Sequence, residues 1–272
     1  MLDTLTTFLV DLDGVIYRGE EILPGAQDFV AWLEAQHKNY LFLTNNSFAS
    51  DSQVIGKLGH LGITTDTAHV MGAGQAAVQN IARRFPGGSV YIVGEEPLAE
   101  MVTAHGLKIA DADAHKADAV LVGLDRMFDY KKLTGAVAAI RGGAAFVAIN
   151  RDPLLPIVGD IVPGCGAMVA AIEASSETKP EIIGKPEPTL LQEAMAKLGS
   201  QAQETVMIGD NIGVDIKGGI AAGTRTLLVF SGKDTPASLA TSTIKPDYVY
   251  NDLAAVMDVL AGRLPAEQQP HV

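Results

Sequence analysis

The sequence has one cysteine, one tryptophan and few aromatics of any kind, which make up 6% of its 272 residues. A single thiol, Cys165, cannot close an intrachain disulfide, so no oxidising compartment is needed and a cytoplasmic location is expected. Basic character is also short: 20 Lys and Arg stand against 32 Asp and Glu, a formal net charge of −12. That balance disfavours nucleic acid and anionic membrane surfaces as partners. An anionic ligand would need a cation placed beside it to offset the protein's own field. No segment approaches the length of uncharged apolar chain that spans a bilayer, and no basic region precedes an apolar one at the N-terminus. Neither a spanning helix nor a signal peptide is therefore expected. The six histidines are scattered, with no His-x-x-x-His pair and no cysteine partner, which argues against zinc.

What is present is a core-forming composition, 47% hydrophobic, with short apolar runs alternating with amphipathic segments. Thr7 to Val10 reads as a strand, Pro24 to Gln36 as a helix, Tyr40 to Leu43 as a strand and Asp51 to His60 as a helix. The same rhythm continues through helix 74–84, strand 89–93, helix 97–104, strand 119–122, helix 130–140 and strand 144–149. After a softer stretch, Ser175 to Pro180, come helix 188–198, strand 205–208, helix 214–222, strand 224–230, a short strand near Tyr248 to Tyr250 and helix 253–260. Repeated strand–loop–helix units imply parallel α/β architecture. The expected fold is α/β: a parallel-sheet, Rossmann-like core from residues 1–71 and 176–264, a second α/β domain inserted over 72–175, and a polar tail at 265–272.

Ligands of such sheets bind outside the C-terminal strand ends, and here those ends carry chemistry. Asp11 and Asp13 follow the first strand, Thr44 and Asn45 the second, Lys185 the run Ile182-Ile183, and Asp210 the strand Val206 to Ile208. Each alone could cap a helix or lie in solvent. Capping does not explain two aspartates two apart in Asp-Leu-Asp-Gly together with a third between Gly209 and Asn211. Carboxylates brought close repel unless a cation intervenes, and an all-oxygen set suits magnesium. In this reading Asp11 and Asp210 hold Mg²⁺ with the Asp13 carbonyl, and Asp11 attacks phosphorus. Lys185 and the Thr44 hydroxyl meet charge on the phosphoryl oxygens, and the Asp13 carboxyl serves the leaving group as acid and then water as base. Gly14 keeps the turn compact.

These motifs, in this order, resemble the haloacid dehalogenase superfamily, in its branch of sugar-phosphate and nitrophenyl-phosphate phosphatases with a large α/β cap. Phe8 to Tyr17 resembles the first motif, Leu43-Thr44-Asn45-Asn46-Ser47 the second, Ile183 to Pro188 the third and Met207 to Asn211 the fourth. The resemblance implies hydrolysis of small phosphate monoesters through an aspartyl-phosphate, with Asp11 as nucleophile, Asp13 as acid/base and Lys185 holding both nucleophile and phosphate. It also implies phosphate contacts from Thr44, Asn45 and Asn46, and metal ligation by Asp210. Asn211 and Asp215 would stand behind those residues, Asp215 orienting water or Lys185. Where the branch commonly has Thr before that last Asp, this chain has Val214. A loop reading Ile149-Asn150-Arg151-Asp152-Pro153 would bring Asn150 and Arg151 to the substrate, and pairing of two copies through the cap is implied as well.

Other readings share parts of this pattern. A phosphomutase or phosphotransferase would use the same Asp11 intermediate but pass the group to a second hydroxyl. A receiver-like module phosphorylated on Asp11 would need neither the insertion nor Asp13. A dinucleotide-dependent dehydrogenase lacks its Gly-x-Gly-x-x-Gly after the first strand, Gly72-Ala73-Gly74 being incomplete.

Overall fold

The computed structural model describes residues 2–45, 51–110, 116–157 and 160–263. Its strands are β1 (Thr7–Asp11), β2 (Tyr17–Arg18), β3 (Glu21–Ile22), β4 (Asn39–Thr44), β5 (Val70–Gly72), β6 (Ser89–Val93), β7 (Lys108–Ile109), β8 (Ala119–Val122), β9 (Ala145–Ala148), β10 (Leu154–Ile157), β11 (Asp160–Pro163), β12 (Glu181–Ile182), β13 (Thr205–Gly209), β14 (Arg225–Val229) and β15 (Tyr248–Tyr250). The chain divides into two compact units. One comprises Met1–Thr44, Asp51–Met71 and Lys185–Val272, and the other Asn45–Ser50 and Gly72–Gly184.

The first unit is built on a six-stranded sheet in the order β15-β14-β13-β1-β4-β5. The pairings of β1 with β4 and β13, of β13 with β14 and of β14 with β15 are all parallel. Numbered as they occur in the chain, these six strands lie 3-2-1-4-5-6, the doubly wound arrangement of nucleotide-binding folds. The central strand is a continuous apolar run because both its faces are covered: Phe8, Leu9 and Val10 are buried. Phe8 sets its ring edge-on to Phe29 and Trp32 of the helix Ala26–Ala35, with centroids 6.0 and 5.7 Å away, which pins β1 to that helix. The same helix packs against the helix Leu253–Leu260, so the two ends of the unit's chain meet.

The second unit has its own parallel sheet, ordered β12-β9-β8-β6-β7, and an antiparallel hairpin of β10 and β11. The helices Tyr130–Arg141 and Cys165–Ser176 pack together over a cluster that includes Val120, Val122, Phe146, Met168 and Ile172. Asp129 caps the first of them by accepting the Lys132 N–H at 2.8 Å.

Three readings of the sequence change. The run Ile182-Ile183 is not a core strand: Glu181 and Ile182 pair with β9, so the second unit runs to Gly184, where the sequence reading set its end near 175. The helix Cys165–Ser176 escaped the periodicity reading because Cys165, Gly166, Met168, Val169 and Ile172 are all buried, leaving little amphipathic stripe to see. The helix expected from Val214 begins instead as a π-helical turn, Ile212–Ile216, before Lys217–Ala222. Asn46 and the tail 265–272 lie outside the described residues. Among those described, no helix is long and apolar enough to cross a membrane.

Candidate active site

The strand order reverses between β1 and β13, and that crevice is where ligands of doubly wound sheets bind. Asp11 is the last residue of β1, and Asp210 directly follows β13. The π-helical turn supplies Asp215, buried against the backbone of Gly209, where any Cβ would overlap its carboxylate. Each of the three aspartates offers a carboxylate oxygen within 4.8 Å of the other two. Lys185, 3% exposed, lies among them, with Nζ 2.5 Å from Asp11 Oδ1 and 2.7 Å from Asp215 Oδ1.

Three carboxylates against one ammonium leave two uncompensated negative charges in a buried space. Burial pushes the Asp11 carboxyl up, to about 8; the Lys185 ammonium pulls it back, and Asp215 and Asp210 push it up further. Asp210 is likewise pushed up to about 6, by burial and then by Asp215, with the Lys233 N–H opposing. The donor set is oxygen only, three ionised carboxylates would exceed the single ammonium by two, and Asp11 and Asp210 are held in proton-binding surroundings. All three observations fit a hard divalent cation on Asp11 and Asp210.

Asp210 is held in place by a loop that the sequence reading passed over, Ser231 to Asp234 after β14. The Lys233 N–H donates to Asp210 Oδ2 at 2.6 Å and the Asp234 N–H to the Asp210 carbonyl at 3.0 Å. Ser231 Oγ donates to the Gly14 carbonyl at 2.7 Å, and Asp234 Oδ2 accepts the Ile212 N–H at 2.6 Å. Gly14, at φ 80°, and Gly232 lie so close to the Asp210 carboxylate that a Cβ on either would overlap it. The signal was available: Ser231-Gly232 follows an apolar strand as Asp210 follows β13, in the same sheet.

Asp13 sits beyond the turn, exposed, with the Gly14 N–H donating to the Tyr17 carbonyl at 2.8 Å to close the loop. Burial around it raises the Asp13 carboxyl above its ordinary range, with Lys57 and Lys185 pulling the other way. Lys57 also lies over the Tyr17 ring, 3.8 Å from its centroid. Thr44 ends β4 and is half-buried, with Asn45 following it. Asn211 accepts the Gly213 N–H at 3.1 Å through its side chain and its own N–H donates to Asp215 Oδ2 at 3.1 Å, which orients that carboxylate.

Asn150 and Arg151 belong to the second unit. Asn150 is buried, and Arg151, exposed, is ion-paired with Glu173 at 2.8 Å. Burial pushes the Cys165 thiol up to about 11, so it is no thiolate at neutral pH.

A doubly wound sheet with an acidic, lysine-bridged cluster at its switch point and a second α/β unit inserted in it defines a hydrolase class. A family profile for haloacid dehalogenase-like hydrolases matches residues 8–108, and a second profile of the same class matches residues 182–256. The chain is 34% identical over 253 residues to an acid sugar phosphatase of Staphylococcus saprophyticus, covering 93% of this chain and 97% of that one. It is 36% identical over 252 residues to the 5'-nucleotidase YutF of Bacillus subtilis, with the same 93% and 97% coverage. A p-nitrophenyl phosphatase structure from Archaeoglobus fulgidus superposes with a TM-score of 0.86 at 30% identity, covering 94% of this chain and 99% of that one. The chain belongs to the haloacid dehalogenase-like hydrolases, in the capped phosphatase branch.

Proposed function

We propose that this protein hydrolyses phosphate monoesters of small metabolites, sugar phosphates foremost, with Mg²⁺, carrying the phosphoryl group on Asp11. The observation that supports it most directly is the Asp11–Lys185–Asp215 chain of ion pairs set beside Asp210. Asp11 and Asp210 would hold the cation together with the Asp13 carbonyl; when bound, it offsets the repulsion between Asp11 and an anionic ester.

An Asp11 carboxylate oxygen attacks phosphorus and the bond from phosphorus to the ester oxygen breaks, with the proton of the Asp13 carboxylic acid passing to the departing alkoxide. Asp13, now a carboxylate, takes a proton from water as the water oxygen attacks phosphorus. The bond between phosphorus and Asp11 then breaks, releasing inorganic phosphate and restoring both side chains. Lys185 keeps Asp11 oriented and, with the Thr44 hydroxyl and the amides of Asn45 and Asn46, meets charge on the phosphoryl oxygens. Asp215 and Asn211 hold Lys185 and the turn behind it. The second unit is assigned the part of cap, with Arg151 as a contact to the leaving group. Pairing of two copies through it, and a cytoplasmic location, complete the proposal, supported by the resemblance and by the single buried thiol.

Release of phosphate from sugar phosphates, nucleoside monophosphates and p-nitrophenyl phosphate is expected with Mg²⁺ and is lost on chelation; undiminished turnover in excess chelator sinks the reading. Asp13→Asn is expected to slow turnover by about 10²–10⁴-fold, the loss being larger for alkyl than for nitrophenyl esters because a poor leaving group needs its proton more. Comparing kcat on the two ester types checks this, and an equal loss on both would remove Asp13 from the acid role.

A further inference from the structure

The family resemblance sends Asn150 to the substrate, but its side chain already bonds within the protein. It is 6% exposed; Nδ2 donates to the Asn45 carbonyl at 3.0 Å, and Oδ1 accepts the Asp152 N–H at 3.1 Å. The preceding residue, Ile149, accepts the Gly184 N–H at 2.8 Å, and Ala148 accepts the Ile183 N–H at 3.0 Å. Gly184 packs so closely here that a Cβ would stand 2.7 Å from both Asn45 Oδ1 and the Ile149 carbonyl. The C-terminal end of β9 therefore gathers Asn45 and Gly184 into one knot inside the second unit.

Those two residues mark the places where the chain passes between units, at Thr44–Asn45 and at Gly184–Lys185. One peptide bond beyond each lies a residue assigned above to the phosphoryl group, Thr44 in one case and Lys185 in the other. One Nδ2 hydrogen and one Oδ1 lone pair are thus committed to backbone groups, and turning the carboxamide away toward a ligand would orphan the Asn45 carbonyl.

We propose that Asn150 is a positioning residue for phosphoryl transfer: by clasping Asn45 to the strand end that also holds Gly184, it fixes the backbone from which Thr44 and Lys185 project. The inference rests on the roles given to Thr44 and Lys185 above. Small misplacement of catalytic groups costs on the order of 10²-fold in rate, so the signature is a loss of kcat that ignores the leaving group.

The test is Asn150→Ala and Asn150→Asp in the full chain, assayed with Mg²⁺ on p-nitrophenyl phosphate and on an alkyl sugar phosphate. The aspartate keeps the acceptor for Asp152 but sets a carboxylate against the Asn45 carbonyl. Both variants are expected to lose about 10- to 100-fold in kcat, by the same factor on both esters, with KM moving less than about 3-fold. Combined with Thr44→Val, the losses should fall short of the product of the single effects, since both act on one element. Gly184→Ala, which leaves Asn150 intact but crowds Asn45, should reproduce the kcat loss and keeps the question open to measurement if the Asn150 variants fold poorly. A KM rise that depends on the leaving group with kcat unchanged would make Asn150 a substrate contact and overturn the proposal. So would a lowered Tm with unchanged kcat. Asp11→Asn run alongside separates the two levels: its retained turnover overturns the underlying reading, whereas its inactivity beside a KM-only change in Asn150 variants overturns this inference alone.

Discussion

Asp11→Asn is expected to lower kcat by at least about 10⁴-fold, the scale seen when a nucleophile is removed from a site whose other parts remain, while leaving the fold intact. The amide has nearly the shape of the carboxylate but cannot form the acyl phosphate. Its effect on stability should run the opposite way in metal-free protein. The folded Asp11 carboxyl titrates near 8 against an ordinary 3.8, so the folded state retains a proton that the unfolded chain gives up. The stability tied to that proton is complete below the unfolded value and is lost as pH rises through the folded one. Asparagine has no such dependence, and Lys185 keeps Asp215 as its partner. In chelator, the Tm of Asp11→Asn should therefore gain on the parent's between pH 4 and 8. A difference that stays flat over that range would show that the acidic cluster is not under the electrostatic load described, and magnesium-dependent phosphate release from the variant would reject the nucleophile.

Lys185→Met is the second large effect, and it strikes both activity and folding. The ammonium is buried and bonded to two carboxylates; its loss leaves buried charges without a partner, which costs about 3–5 kcal/mol. Without it the folded Asp11 carboxyl, which the ammonium pulls down, binds its proton more tightly still. The cost should therefore be greatest at alkaline pH and shrink as the solution is acidified and the carboxylates are neutralised. Turnover should drop about 10²–10³-fold because a charge aimed at the phosphoryl oxygens is gone. Urea denaturation of metal-free protein at pH 5 and pH 8, with kcat measured on refolded samples, checks both parts. A penalty equal at the two pH values would mean that Lys185 contributes by packing alone.

Much of this was legible in the sequence, for identifiable reasons. Strands such as β1, β6, β8 and β13 are unbroken apolar runs, and the aspartates that end β1 and follow β13 stand out against them. Lys185 was legible as a residue type but not by its origin, since Ile182-Ile183 looks like any core strand; only pairing shows that it joins β9. Short pieces such as β2, β3 and β7, two residues each, carry no periodicity to detect. The Ser231–Asp234 loop was missed because its service to Asp210 is given by backbone N–H groups, which any sequence possesses. Asn150, given a substrate role by the family resemblance, shows what a sequence hides: its burial and its bonds to the Asn45 carbonyl and the Asp152 N–H appear only in the fold.

The placement of β1 between β4 and β13 has a consequence for how the molecule is born. One flank of β1 is made almost at once, but the other must await a segment translated far later, about 10–40 s at elongation rates of about 5–20 residues per second. Throughout that interval an apolar strand, Phe8-Leu9-Val10, has an open edge able to recruit foreign β-strands. Residues 72–184, by contrast, are contiguous and are translated in full before the ribosome reaches β13. A nascent chain stalled short of β13 would then be both chemically inert and prone to aggregate, so demand for chaperones should fall on the amino-terminal segment.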